Sequence, residues 1–259
     1  MKIVVAESKS MGSGVETLPM REVREHRPAF AAEADMLMES IRNLTVAELS
    51  DCLGISARHA AKVSEYVYDF PMKQTGYQAV DAFSGVVFKA ARLHLLPSEA
   101  YARALERVEI VSSLYGLLRL DDIIKPYRFD YTTRLPGTDF QPLYSYWRPK
   151  LTVALSRQMK EEEHPLIVNL LPGDALKCVD KKLLKSYCEF LTVDFKSLDP
   201  NGKLTTPRST RLKELRGLFL RHILEQDIRT SEQLRQIATR EFTYVDDAPY
   251  PGILRFLCD

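Results

Sequence analysis

The sequence predicts an α+β or mixed α/β fold, a single body over residues 1–259. Three observations carry this. Short, continuously apolar runs such as Lys2–Ala6 and Leu166–Leu170 read as buried strands, because charge appears only at their ends. Segments with apolar residues at helical spacing alternate with them. The two kinds are interleaved without a clean strand–helix–strand rhythm, and no linker divides the chain.

Taken in order, Lys2–Ala6 is the first strand and Glu7–Pro19, with its glycines and proline, a loop. Pro28–Asn43 carries Phe30, Ala34, Leu37, Met38 and Ile41 at helical spacing. Thr45 caps a short helix over Val46–Cys52, with Glu48 in capping-box position. After a tight turn at Leu53–Ser56, a helix runs from Ala57 to Tyr68. Tyr77–Phe83 reads as a short helix and Val86–Ala90 as a strand. Pro97 and Ser98 open a helix that reaches Arg107, while Val108–Val111 fits a strand or a helix start. A long helix covers Tyr144–Met159. Strands follow at Leu166–Leu170 and Glu189–Phe195, helices at Ser209–Gln226 and Ser231–Ala238, and closing strands at Glu241–Val245 and Ile253–Leu257.

Composition narrows the function classes. Hydrophobic residues make up 45% and charged residues 27%, so the chain can build a sizeable core. The formal net charge is +1, so any nucleic-acid binding must come from a local patch. Ile3–Ala6 is too short for a signal peptide, and no window approaches the ~18 apolar residues of a membrane span. Cys52, Cys178, Cys188 and Cys258 lack CxxC spacing and read as reduced thiols of a cytoplasmic protein.

Two segments suggest sites. Around Leu53-Gly54-Ile55-Ser56, two helices meet in an apolar-Gly-apolar turn, the shape of a helix-hairpin-helix. There, backbone N–H groups and a helix N-terminus face a phosphate, and Arg58, His59 and Lys62 stand close by. The alternative is a plain αα-hairpin packed on the core. The second segment is Ser113–Arg128. Gly116 would let a ligand approach the backbone, and Pro126 stiffens the chain before Tyr127 and Arg128, which offer a phenol and a guanidinium fork to an anion. The alternative is a surface loop in which Arg119 pairs with Asp121 or Asp122.

Motifs for nucleotide loops, nucleophile elbows and zinc proteases are missing, so no cofactor is implied. The five histidines lack paired spacing, so no metal site is implied. Gly12-Ser13-Gly14 is a weak phosphate-loop candidate. Ser8-Lys9 would make a serine–lysine pair, but adjacent strand residues point to opposite faces.

Ser112-Ser113-Leu114-Tyr115-Gly116-Leu117-Leu118-Arg119, continuing into Lys125-Pro126-Tyr127-Arg128, closely resembles a run of the bacterial peroxide-stress protein YaaA family. Tyr144 with Trp147, Val168-Asn169-Leu170, Lys177, Asn201-Gly202-Lys203 and the Lys213, Arg216, Gly217, Arg221 block follow in the family's order. The resemblance runs from Met1 to about Phe256. It implies an unusual mixed α/β fold with a helix-hairpin-helix element at residues 46–69, DNA binding, and a role in limiting peroxide damage. It also implies a positive cleft at Lys9, Arg128, Lys177, Lys213 and Arg216, to which Tyr115 and Tyr127 are added from their own chemistry. The chain departs from the family pattern at Ala6-Glu7-Ser8-Lys9, at Gly85-Val86-Val87-Phe88, at Leu171-Pro172-Gly173-Asp174 and at Ser113.

The resulting expectation is a DNA-binding protein of the peroxide-stress response with an anion-binding cleft. Its partner would be duplex or distorted DNA, or a small phosphate-bearing or purine-like ligand. The alternative is an enzyme acting on a nucleotide, nucleoside or nucleobase in that cleft. That reading requires Asp122, Asp130 or Asp174 to share a pocket with the arginines.

Overall fold

A computed structural model describes residues 1–12, 26–71, 76–139, 142–247 and 250–258. Its strands are β1 (Lys2–Ala6), β2 (Tyr77–Gln78), β3 (Val108–Ser112), β4 (Gly116–Leu118), β5 (Ile123–Ile124), β6 (Leu166–Asn169), β7 (Glu189–Leu198), β8 (Leu204–Thr205), β9 (Phe242–Asp247) and β10 (Ile253–Cys258). Its helices are α1 (Ala31–Glu39), α2 (Val46–Leu53), α3 (Ala57–Asp69), α4 (Ala79–Ala82), α5 (Val86–Ala91), α6 (Ser98–Arg107), α7 (Leu143–Lys160), α8 (Gly173–Leu176), α9 (Lys181–Leu184), α10 (Ser209–Glu225) and α11 (Ser231–Leu234).

The architecture is mixed α/β with a mostly parallel central sheet. The strand order is β4-β3-β1-β6-β7-β10-β9, with β8 added on β7. β3, β1, β6, β7 and β10 run parallel, and antiparallel β4 and β9 close the two edges. Helices covering both faces of a parallel sheet demand strands that are apolar throughout. β3 and β6 are buried at every position, and β1 at its three central ones. This is why Lys2–Ala6 and Leu166–Leu170 carry no alternation.

The chain leaves β1 for β3 on one side, then crosses back to β6 on the other. Loops leaving the carboxyl ends of β1 and β6 therefore diverge, and a crevice opens between them. Open parallel sheets bind ligands at such a reversal.

Most elements lie where hydrophobic periodicity puts them, and Val108–Ser112 proves to be a strand. One correction is substantial: Val86–Ala91 is a helix, not a strand. The Val-Val pair favours a strand locally, but Phe88 and Ala91, three apart, are the residues that become buried. Packing decides the outcome. α5 lies against α10 so closely that a Cβ on Gly217 would sit 2.2 Å from the Val87 carbonyl oxygen. Three helices are also shorter than their apolar patterns suggest: α1, α4 and α11. The tract Tyr77–Phe83 begins as the two-residue strand β2 rather than as helix. Of the expected loop at Glu7–Pro19, residues 13–19 lie outside the described residues, as do Ser13 and Gly14 of the glycine triplet. Among the described residues, no helix is long and apolar enough to cross a membrane.

Candidate functional site

A cavity of about 460 Å³ occupies the crevice at the carboxyl ends of β1 and β6. That volume is in the range of small-molecule sites. The segment just after β1 delivers Glu7, Ser8 and Lys9 to it, the segment after β5 delivers Asp130 and Tyr131, and the short helix α8 after β6 delivers Asp174. The α5–α10 pair forms the opposite wall with Lys89, Lys213 and Arg216. A larger cavity, about 790 Å³, lies near Lys2 and Glu109, at the other end of the strands. There the buried Glu109 carboxylate is already satisfied by Lys2 at 3.2 Å and Gln158 at 2.9 Å, so the smaller cavity holds the freer chemistry.

Glu7 sits at the floor of the crevice. Its backbone N–H donates to the Val111 carbonyl at 2.9 Å, extending the β1–β3 ladder by one residue. Its Oε2 accepts a hydrogen bond from the buried Tyr127 hydroxyl, which also lies 2.6 Å from Ser112 Oγ. The Ser113 hydroxyl is close by and opposes the effect of burial. Its Oγ nevertheless forms no hydrogen bond of good geometry among the described residues. Burial dominates, and the Glu7 carboxyl is pushed up to about 7. Burial also pushes the Tyr127 and Tyr131 hydroxyls well above the usual phenol range, so both stay protonated as donors. Tyr131 donates to the Val111 carbonyl at 2.8 Å.

The basic residues divide into paired and unpaired. Lys9 is ion-paired with Asp130. Burial works against the Asp130 carboxylate, but the Lys9 ammonium prevails and holds it below the usual range. Lys177 is exposed, pairs with Asp174 at 3.0 Å and lies over the Tyr144 ring at 5.5 Å. Arg128 reaches the Lys9 carbonyl at 3.5 Å. Lys213 is exposed and Arg216 half-buried. Neither has a hydrogen bond or ion pair among the described residues. Burial lowers the pKa of Arg216, although a guanidinium remains charged at any physiological pH.

Of the residues expected in the cleft, Lys9, Lys213 and Arg216 line this cavity, and Tyr127 supports Glu7 from behind it. Lys177 stands beside it through Asp174. Tyr115 is elsewhere: it is 4% exposed in the core, its hydroxyl accepting from the Lys125 N–H at 3.0 Å. Gly116, at φ +71°, is approached by Trp147 rather than left open to a ligand, since a Cβ there would lie 2.5 Å from the indole. Arg119 pairs with Asp121 at 3.1 Å, and Asp122 accepts from the Arg119 N–H at 2.8 Å; Arg119 and Asp121 line the other, larger cavity and not this one. Asp130 and Asp174 do share the cavity with Arg216; Asp122 does not. Glu7 is the residue that sequence reasoning missed. Its only signal was that Ala6-Glu7-Ser8-Lys9 departs from the family pattern.

Away from the cavity, α2 and α3 form a tight hairpin. Thr45 and Glu48 complete the capping box of α2, and Gly54 ends it in the left-handed conformation at φ +61°. The N-cap of α3 is Ser56, whose side chain caps no N–H but lies 2.9 Å from His59 Nδ1. Arg58 and Lys62 on α3 are exposed and have no carboxylate partner among the described residues. Leu49, Ala60, Val63 and Val67 form the buried face of the hairpin. Leu53 and Ile55 pack partly into the core beside them.

Comparison with known proteins is consistent along the chain. A family model described as "Peroxide stress protein YaaA" matches residues 1–248. A UPF0246 protein of Flavobacterium johnsoniae is 31% identical over 238 residues, covering 91% of each chain. One from Shewanella sp. (strain MR-4) is 29% identical over 261 residues, covering 99% of this chain and 98% of the relative. One from Ligilactobacillus salivarius is 26% identical over 244 residues, covering 94% of each.

Proposed function

The chain belongs to the peroxide stress protein YaaA family, and from that premise we propose that it acts in the peroxide-stress response by binding DNA through the α2–α3 hairpin. One observation carries the reading. The 13-residue helix α3 begins without a side-chain cap, beside a left-handed Gly54 and two exposed cations, Arg58 and Lys62, that have no carboxylate partner among the described residues; Lys62 lies over the Tyr66 ring at 5.7 Å. Its first-turn N–H groups need acceptors, and its dipole end favours an anion. A backbone phosphate supplies both, in the manner of a helix-hairpin-helix. Nothing in this recognition requires a base contact, so duplex and distorted DNA are both suitable partners. The test is fluorescence anisotropy with a labelled duplex. Wild type binds, and the Arg58→Ala/Lys62→Ala variant binds at least several-fold more weakly. Equal affinities would rule the hairpin out as the DNA-binding element.

A second reading rests on its own observation. Arg216 shares a cavity with three carboxyl groups: Asp130 and Asp174 are occupied by lysines, while Glu7 is not. A guanidinium without an ion pair among the described residues, in one cavity with a carboxyl pushed up to about 7 by burial, is the minimum equipment for acid–base chemistry on a small anion. This supports an enzyme acting on a phosphate-bearing or purine-like molecule in the cavity.

A further inference from the structure

Among the described residues, the ion pairs of the strand-end cavity leave Glu7 and Arg216, among others, without a partner of opposite charge, and these two stand on different elements. Arg216 comes from α10, held in place because Gly217 packs directly against the α5 backbone. Glu7 comes from the end of β1, gripped from behind by the Tyr127 hydroxyl. Tyr127 is 5% exposed and does not itself line the cavity.

We propose that this cavity is a proton-linked oxyanion site: a carboxylate, sulfate or phosphate group docks on Arg216 and Lys213, and Glu7 takes up one proton from solvent as it does so. The inference rests on the cavity reading given above and specifies its ligand and regulation. Its physical basis is charge. An anion brought beside an ionised carboxylate in a partly buried cavity is repelled, because little water screens the pair. Protonating Glu7 removes that repulsion. It also turns the carboxyl into a donor able to meet an anion oxygen.

The surroundings of Glu7 leave it as the group that responds. At the end of β3 stand Ser112 and Ser113, which carry no charge. Tyr127 and Tyr131, from the segment after β5, are pushed up and away from neutrality by burial. Burial likewise pushes up the Cys178 thiol beyond α8. Asp130 is held low by Lys9, and Asp174 is paired with Lys177. α5 contributes Lys89, and α10 contributes Lys213 and Arg216, all cations that favour an incoming anion. No histidine lines the cavity among the described residues. Of the perturbed groups around this cavity, Glu7 alone titrates near pH 7.

The test is calorimetric titration of the full chain with sulfate and, separately, acetate, at constant ionic strength between pH 6 and 8, a window in which neither probe changes charge. With Glu7 ionising near 7 in the free protein, anion affinity should fall about tenfold from pH 6 to 8. Buffers of different ionisation enthalpy should report the uptake of one proton at pH 8. Glu7→Gln should bind equally at both pH values, and Arg216→Gln should bind at neither. Comparing the two probes separates a carboxylate site from a tetrahedral-oxyanion site. The wild-type pH series decides the matter even if a variant folds poorly. Binding with flat pH dependence overturns the proton linkage and leaves the cavity reading standing. No binding of either anion at any pH overturns both.

Discussion

Glu7 and Tyr127 are 120 residues apart in the chain and share one proton-bearing contact. Burying a carboxyl raises the free energy of its charged form, so the folded protein holds a proton that the unfolded chain has released. The consequence for stability has a definite sign. Between the ordinary carboxylate value of 4.5 and about 7, the folded state binds more protons than the unfolded state. Glu7 therefore stabilises the fold fully below pH 4.5, and that stabilisation is lost as pH rises through 7. Asp122, pushed by burial from 3.8 to about 6, acts in the same direction. Urea denaturation between pH 5 and 8 should show stability falling with pH, and Glu7→Gln should remove on the order of 2 kcal/mol of that fall. An unchanged slope in the variant would mean that Glu7 ionises normally. At this scale the sequence was only partly readable. Lys9, Lys213 and Arg216 were reached through the family resemblance, whereas Glu7 became a site residue only when Tyr127 and Ser113 closed around it. Tyr115, chemically equivalent to Tyr127 on paper, is consumed by the Lys125 backbone and the core.

Helices and strands were legible wherever local signals and tertiary packing agree. The hairpin is the best case. Thr45, Glu48 and Gly54 announce the start and end of α2, and the capping box and left-handed turn are formed. Thr45→Ala should accordingly cost about 1 kcal/mol in urea denaturation, because an N–H of the first turn loses its acceptor. A cost near zero would show that the cap is replaced by water. α5 is the opposite case. Its two valines favour a strand, and nothing within six residues reveals that α10 will lie across them. The packing there is tight enough to test. Gly217→Ala places a methyl group within van der Waals overlap of the Val87 carbonyl and the Ala90 side chain. It should destabilise the protein by about 2 kcal/mol or more, and should weaken any cavity ligand by shifting Arg216. A neutral substitution would mean that the two helices separate readily. Short elements such as α8, α9 and β8 carry too few residues for periodicity to register, and they emerge only in the assembled fold.

For the molecule as a whole, buried-strand runs identify a partly parallel sheet, but the order of its strands depends on pairings between distant segments. β1 pairs with β3 more than a hundred residues away and with β6 farther still. The reversal at β1, which creates the crevice, is therefore invisible in local pattern. The charge distribution also becomes clear only in three dimensions. With a net charge of +1 and a cavity of mixed sign, the molecule has no broad basic face implied by composition. The proposed DNA binding would then rest on a small number of cations, and a small number can be counted by salt dependence. Removing one phosphate-binding cation should reduce the slope of log affinity against log salt concentration by about 0.9. The decisive measurement is duplex binding by anisotropy over a series of salt concentrations, for wild type and for Arg58→Ala/Lys62→Ala. DNA binding through the hairpin predicts a steep wild-type slope that falls by roughly 2 in the double variant. A wild-type protein that does not bind, or a slope that stays the same without Arg58 and Lys62, would contradict it.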